Sequence, residues 1–222
     1  MAGNRAGIAI MSQSEPIDLW FSIGSLYTYL TVMRVDRIED VSDIGFNWRP
    51  FSVRAIMIEM DNRPMSKPRK LEYMWRDLTR RAEMYGFPLN GRPPYPLKNF
   101  DLANRIATVG AREGWCPDYV RATYRRWFDD HEEAGSEPNV SASLAELGQD
   151  PARVLALAQS DDIGRAYEAA TDEARRLGIF GAPTFVTRGE IFWGDDRLAD
   201  AMRWHRVGSL VLGETHATGT GY

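Results

Sequence analysis

Residues 17–50 constrain the fold of this chain more than any other segment. Residues 17–23 (IDLWFSI) mix alternating and continuous apolar positions and end at Gly24, the pattern of a mostly buried strand. From Tyr27 to Ile38 the apolar residues follow helical spacing, and Ser25 stands where an N-cap belongs. Residues 44–49 (IGFNWR) alternate again and stop at Pro50. Strand, helix and strand within about 35 residues make a βαβ unit, so two parallel strands joined by a right-handed crossover are expected.

The middle of the chain reads as helices. Lys70 to Tyr85 is strongly helical and is stopped by Gly86 and Pro88; the Pro-rich loop GRPPYP follows at 91–96. Further helical patterns cover Asn99–Glu113, Pro117–Glu133, Ser141–Leu147, Pro151–Gln159 and Ser160–Leu177. Strand chemistry then returns: Thr184–Thr187 and Glu190–Trp193 flank Arg188-Gly189, a two-residue hairpin turn. Asp195 or Asp196 is placed to cap a last helix ending near Arg206. With the helical block removed, a thioredoxin-like order remains. The expected fold class is therefore α/β, a thioredoxin-like βαβ…ββα fold with a large all-helical insertion. Residues 17–52 and 178–208 form the discontinuous thioredoxin-like domain, and 53–177 the insertion. Flexible extensions are expected at 1–16 and 209–222.

Composition narrows the chemistry. The 222 residues include one cysteine, Cys116, so an intrachain disulfide and dithiol redox cycling are excluded. A thiolate zinc site is excluded as well, and the three histidines lack ligand spacing, so no metal is expected. A net charge of −4 provides no basic field for a nucleic-acid backbone. The stripe Tyr119, Tyr124, Trp127 and Phe128, interleaved with Arg121, Arg125 and Arg126, reads better as core with a charged outer face. No stretch reaches the roughly 18 apolar residues of a membrane span. Residues 1–14 lack the apolar core of a secretion signal, which leads to an expectation of a cytoplasmic protein.

Four constellations can carry function, and each has a plainer reading beside it. At the turn Gly24-Ser25-Leu26-Tyr27-Thr28, Ser25 either caps the helix or donates its hydroxyl to an anion held at the helix N-terminus. In Gly181-Ala182-Pro183-Thr184 the proline, tolerated at the opening of an edge strand, is either a plain trans proline in a loop or forms a cis bond that aims the Ala182 backbone into a cleft. Asp195 and Asp196 are either capping residues or receivers of an α-ammonium group. The segment from Asn62 to Lys70, with Lys67 and Arg69, is either solvated surface or a grip for an anionic substrate. Cys116, beside Pro117 at a helix start, reads as a buried, inert thiol.

In order and spacing, WFSIGS ending at Ser25, WRPF at 48–51, KLEYMWRDL at 70–78, RRAEMYGFPL to Leu89, GIFGAPTF and FWGDDRL resemble one family. They are similar to 2-hydroxychromene-2-carboxylate isomerases and kappa-class glutathione transferases, within the DsbA-like thioredoxin superfamily. The resemblance spans about residues 17–206 and implies a glutathione enzyme. It implies that Ser25 stabilises the glutathione thiolate and that Ala182 and Pro183 pair with the tripeptide backbone. Asp195 and Asp196 would hold the γ-glutamyl end, and Asn62 would contact glutathione. It also implies a homodimer and an aromatic or conjugated carboxylate substrate, clamped by Lys67, Arg69 or Lys70. The chain departs from the family pattern at Ser25-Leu26, where Ser-Pro is usual, and at Ser22, where an aspartate is common. Three readings follow: an isomerase that regenerates free thiol, a transferase that consumes it, and a non-catalytic thioredoxin-like binding module.

Overall fold

The computed structural model describes residues 15–211. The extension expected at 1–16 therefore lies, except for Glu15 and Pro16, outside the described residues, as does the tail beyond Val211. The βαβ unit is present as β1 (Ile17–Phe21), α1 (Leu26–Ser42) and β2 (Phe46–Pro50). β1 and β2 pair in parallel from Ile17 opposite Phe46 to Phe21 opposite Pro50. The hairpin forms β3 (Thr184–Thr187) and β4 (Glu190–Trp193) about the Arg188-Gly189 turn, with the boundaries its sequence implies. β3 runs antiparallel to β1, which gives a four-stranded mixed sheet of order β2-β1-β3-β4.

Register decides which residues share a face. Leu19 lies opposite both Trp48 and Phe185, so these three apolar side chains point the same way. Trp20 and Arg49, one residue on, face the other side, where the Arg49 guanidinium sits 4.8 Å over the indole.

Between β2 and β3 the chain is helical: α2 (Val53–Glu59), α3 (Pro68–Tyr85), α4 (Phe100–Glu113), α5 (Cys116–Asp129), α6 (Asn139–Glu146), α7 (Pro151–Ala158) and α8 (Asp161–Arg176). A short 3-10 turn, Pro64–Ser66, leads into α3. The last helix is α9 (Leu198–Val207). α4 and α8 pack on β2, α9 on β3 and β4, and α1 against α3 and α5. An ion pair from Arg49 to Glu173 of α8, at 2.5 Å, ties the sheet to the block.

The sequence does not announce α2. It is seven residues long, buries only Val53 and Ile56, and is nucleated by Ser52, whose hydroxyl accepts from Ala55 N. Two apolar positions are too few to show a period. The capping expected of Asp195 and Asp196 also needs correction. These residues form a 3-10 turn with Arg197, neither caps α9 through its side chain, and the helix starts at Leu198.

The aromatic stripe of α5 is core: Tyr119, Tyr124, Trp127 and Phe128 are fully buried, and Tyr29 of α1 stacks on Phe128 at 3.8 Å. Each ring of that size contributes about 1.5–3 kcal/mol or more of burial free energy, so α5 is a principal anchor of the insertion. Its arginines are held in ion pairs, Arg121 with Asp36 and Asp118, and Arg125 and Arg126 with Glu146. Cys116 is buried and its thiol is pushed up by that burial, as an inert cysteine requires.

Candidate active site

β1 ends at Phe21, and the next four residues turn the chain into α1. Gly24 has φ +114°, a region open chiefly to glycine, and a Cβ there would stand 2.7 Å from the Phe100 ring. The turn is braced from the insertion. Asn104 of α4, fully buried, accepts from Ile23 N at 2.7 Å and donates to Ile23 O at 2.9 Å, replacing the hydrogen bonds a neighbouring strand would make. Tyr124 of α5 brings its hydroxyl to the carbonyls of Ser25 and Ser22, at 2.9 and 3.1 Å. Ser22 is buried, donates its hydroxyl to Phe51 O, and accepts from Val53 N at 3.0 Å, joining the turn to the start of α2.

Ser25 does two things at once. Its Oγ accepts from Thr28 N at 3.3 Å as the N-cap of α1, and donates to the carbonyl of Ala182 at 2.7 Å. The Ala182-Pro183 peptide is cis, and the Ala182 carbonyl does face this turn. Thr28, three residues on, is fully buried, whereas Ser25 is partly accessible. The partly accessible hydroxyl of the turn is therefore that of Ser25.

Trp193 packs on the loop before Pro183. Its indole lies so close over Gly181 that a Cβ there would overlap it, and the Phe180 ring meets it edge-on at 4.8 Å. Gly194 N donates to Pro183 O at 2.9 Å, which ties the end of β4 to the proline loop. Beyond lies a groove of about 240 Å³ lined by Tyr27, Tyr73, Asp77, Arg81, Trp193 and Asp196, with Gly194 and Asp195 at its base. The Tyr27 hydroxyl donates to Asp77 at 3.0 Å; burial and that carboxylate together push the phenol up, so it stays protonated.

Asp195 and Asp196 part company here. The Asp195 carboxylate is wholly buried. One oxygen accepts from Thr31 at 3.1 Å and Arg34 at 2.7 Å, the other from Arg81 at 3.0 Å and Tyr85 at 2.9 Å. Asp196 is exposed and accepts from Arg197 at 3.2 Å. The basic segment forms its own cluster: Lys70 donates to Asn62 Oδ1 and Lys67 to Asp61 O, both at 2.7 Å, while Arg69 is exposed. None of Asn62, Lys67, Arg69 and Lys70 lines the groove. α3 carries Lys70 and Arg81 eleven residues apart, about 16 Å along its axis. The cation in the groove is Arg81, which the sequence reading did not single out. Nor does the sequence assign a site role to Asn104, Tyr124, Arg34 or Tyr85, whose roles depend on contacts far along the chain. Among the described residues no cluster of His, Cys, Asp and Glu could hold a metal, and no helix is long and apolar enough to cross a membrane.

The family model for the DsbA-like thioredoxin domain matches residues 16–202, most of the chain. The chain belongs to this DsbA-like thioredoxin family. Within that family it is similar to the 2-hydroxychromene-2-carboxylate isomerase of Pseudomonas sp. strain C18, at 26% identity over 82% of this chain and 86% of the relative. The corresponding isomerase of Sphingobium xenophagum is 23% identical over 83% and 95%. Glutathione S-transferase kappa 2 of Caenorhabditis elegans is 24% identical over 85% and 90%. Among solved structures, a 2-hydroxychromene-2-carboxylate isomerase superposes with a TM-score of 0.75 at 22% identity, over 84% of this chain and 92% of that one. The DsbA-like fold read from element order and motifs is thus the fold of this chain, and its relatives include enzymes of the isomerase and kappa transferase groups.

Proposed function

We propose that this DsbA-like protein is a glutathione-dependent isomerase of the 2-hydroxychromene-2-carboxylate type, acting in the cytoplasm on a conjugated carboxylic acid. The observation that carries the reading is the Ser25 hydroxyl: partly accessible, at the N-terminus of α1, facing the Ala182 carbonyl. A hydroxyl has one proton to give. Here that proton is on the Ala182 carbonyl, so a ligand bringing both a thiolate and a backbone N–H would let both groups exchange partners. Ser25 would turn its proton to the sulfur, and Ala182 O would accept the ligand's N–H. The residues present fit glutathione at these two points, and the exposed Asp196 suits its α-ammonium group. Asp195, its oxygens already taken by four side chains, would act by shaping the groove wall.

When bound, glutathione supplies a thiolate that adds to a conjugated carbon, lets the former double bond rotate, and leaves unconsumed. The chain's part is to lower the cost of that thiolate. The N-terminus of α1 contributes about 0.3–1 kcal/mol toward a nearby anion, and a hydroxyl donating to a charged sulfur adds about 1.5–3 kcal/mol. Tyr27, kept protonated, offers a polar edge and no competing base. A homodimer without nucleic-acid or membrane partners completes the proposal.

The second reading, a kappa-like transferase, is favoured by the C. elegans relative. Thiol balance separates the two. With a cis-configured conjugated acid and glutathione, the isomerase reading expects the trans acid with free thiol unchanged. Stoichiometric loss of thiol supports the transferase, and no conversion of any electrophile leaves a binding module.

A further inference from the structure

Two arginines meet one carboxylate beneath the groove. Asp195 is paired with Arg34 and Arg81, so this buried cluster holds one more positive charge than negative. Nearby, Asp77 is matched by Arg80 at 3.1 Å, and Arg197 holds both Asp200 at 2.9 Å and Asp196 at 3.2 Å, so Asp196 offsets part of the surplus. Arg81 is fixed along one edge, where Nε and Nη2 reach Asp195 and Nη2 also reaches Tyr85 at 2.8 Å. Its other amino group, Nη1, makes no hydrogen bond among the described residues, and Arg81 lines the groove with 22% of its side chain accessible. A guanidinium held through Nε and Nη2 and offering Nη1 is prepared for an anion, since little side-chain freedom is left to lose. The groove also presents the rings of Tyr27, Tyr73 and Trp193, which suit a flat unsaturated body.

We propose that Arg81 is the carboxylate receptor of this groove, in place of Lys67, Arg69 and Lys70. The identification of the acid's source rests on the glutathione reading above; the receptor does not. The chemistry recognised is a carboxylate, brought either by the conjugated acid or by the γ-glutamyl end of glutathione.

The test is direct binding, by calorimetry on the full chain, of four probes. These are trans-cinnamate, its methyl ester, glutathione, and a glutathione analogue lacking the γ-glutamyl α-carboxylate. Three variants are compared with wild type. Arg81→Gln leaves Asp195 one-to-one with Arg34, which preserves a paired buried charge. Arg81→Lys retains the ion pair but removes the Nη1 group. Arg34→Gln disturbs the same carboxylate while leaving Arg81 in the groove. Wild type is expected to prefer an acid over its neutral analogue by about 10–100-fold. Both Arg81 variants should lose that preference and Arg34→Gln should keep it. Preference for cinnamate assigns the source to the conjugated acid, and preference for glutathione over its analogue assigns it to the thiol. An acid preference that survives in both Arg81 variants, or is absent from wild type, overturns the proposal. Cinnamate preference without any glutathione binding would uphold Arg81 and defeat the glutathione reading instead.

Discussion

Adjacent aspartates with identical chemistry have opposite circumstances in this protein. Asp195 is buried under two guanidiniums, a phenol and a threonine hydroxyl, and Asp196 stands in water beside Arg197. Removing a buried, paired charge leaves its partners uncompensated, which costs about 3–5 kcal/mol, whereas exposed pairs are worth about 0–1 kcal/mol. Asp195→Ala is therefore expected to lower the free energy of unfolding by about 3–5 kcal/mol in urea titrations. Asp196→Ala should change it by no more than about 0.5 kcal/mol. On binding the order reverses: Asp196→Ala should weaken glutathione about tenfold through loss of one charge-assisted contact to the ammonium group. Equal stability losses in the two variants would contradict this division. Sequence could not supply it, because a DD pair before a helix reads as capping. The partners that distinguish the two acids come from positions 31, 34, 81 and 85.

Elements of the insertion hold the site turn in place. α4 does so through Asn104, and α5 through Tyr124. Asn104→Leu would fit the volume but strand the N–H and carbonyl of Ile23, at about 1–3 kcal/mol for each unpaired group. Amide exchange at Ile23 should accelerate in that variant while amides of β3 and β4 keep their protection. Unchanged exchange at Ile23 would show that the turn does not depend on α4. The position of α4 is itself secured at its far end, where Arg153 of α7 binds Glu113 through two hydrogen bonds of 2.8 and 2.9 Å and Trp115 Nε1 adds a third at 2.8 Å. Arg153 and Trp115 hold the Glu113 carboxyl down at about 2, below its ordinary value of 4.5. A depressed carboxyl adds stability above its unfolded pKa and loses it as pH falls toward the folded value. Wild type should thus exceed Glu113→Gln in stability at pH 7, and the two should converge between about pH 4.5 and 2. A gap that persists at pH 2 would assign the effect to packing and not to the ion pairs.

Across the whole molecule, what was legible in the sequence is what local pattern encodes. The hairpin about Arg188-Gly189, the βαβ unit and the long amphipathic α8 carry their own periods and turns, and they fall close to where they were expected. α2 was not legible because seven residues with two buried positions have no period. Arg81 is not legible as an anion clamp because the sequence concentrates its basic run at 62–70, whereas α3 places its groove face three turns further along. The N-cap role of Ser25 is legible in the sequence and present in the fold, whereas its contact with Ala182, 157 residues away, is not legible there. The proposed chemistry turns on this hydroxyl, at this helix end, activating a thiol. The measurement that tests it most directly is the pKa of glutathione bound to the protein, followed by ultraviolet thiolate absorbance across pH in wild type and Ser25→Ala. A bound thiol with a pKa about 1–2 below that of free glutathione, returning most of the way in the variant, is expected from a charge-assisted hydrogen bond worth about 1.5–3 kcal/mol. A bound thiol with an unshifted pKa, or one lowered equally in both proteins, would contradict it.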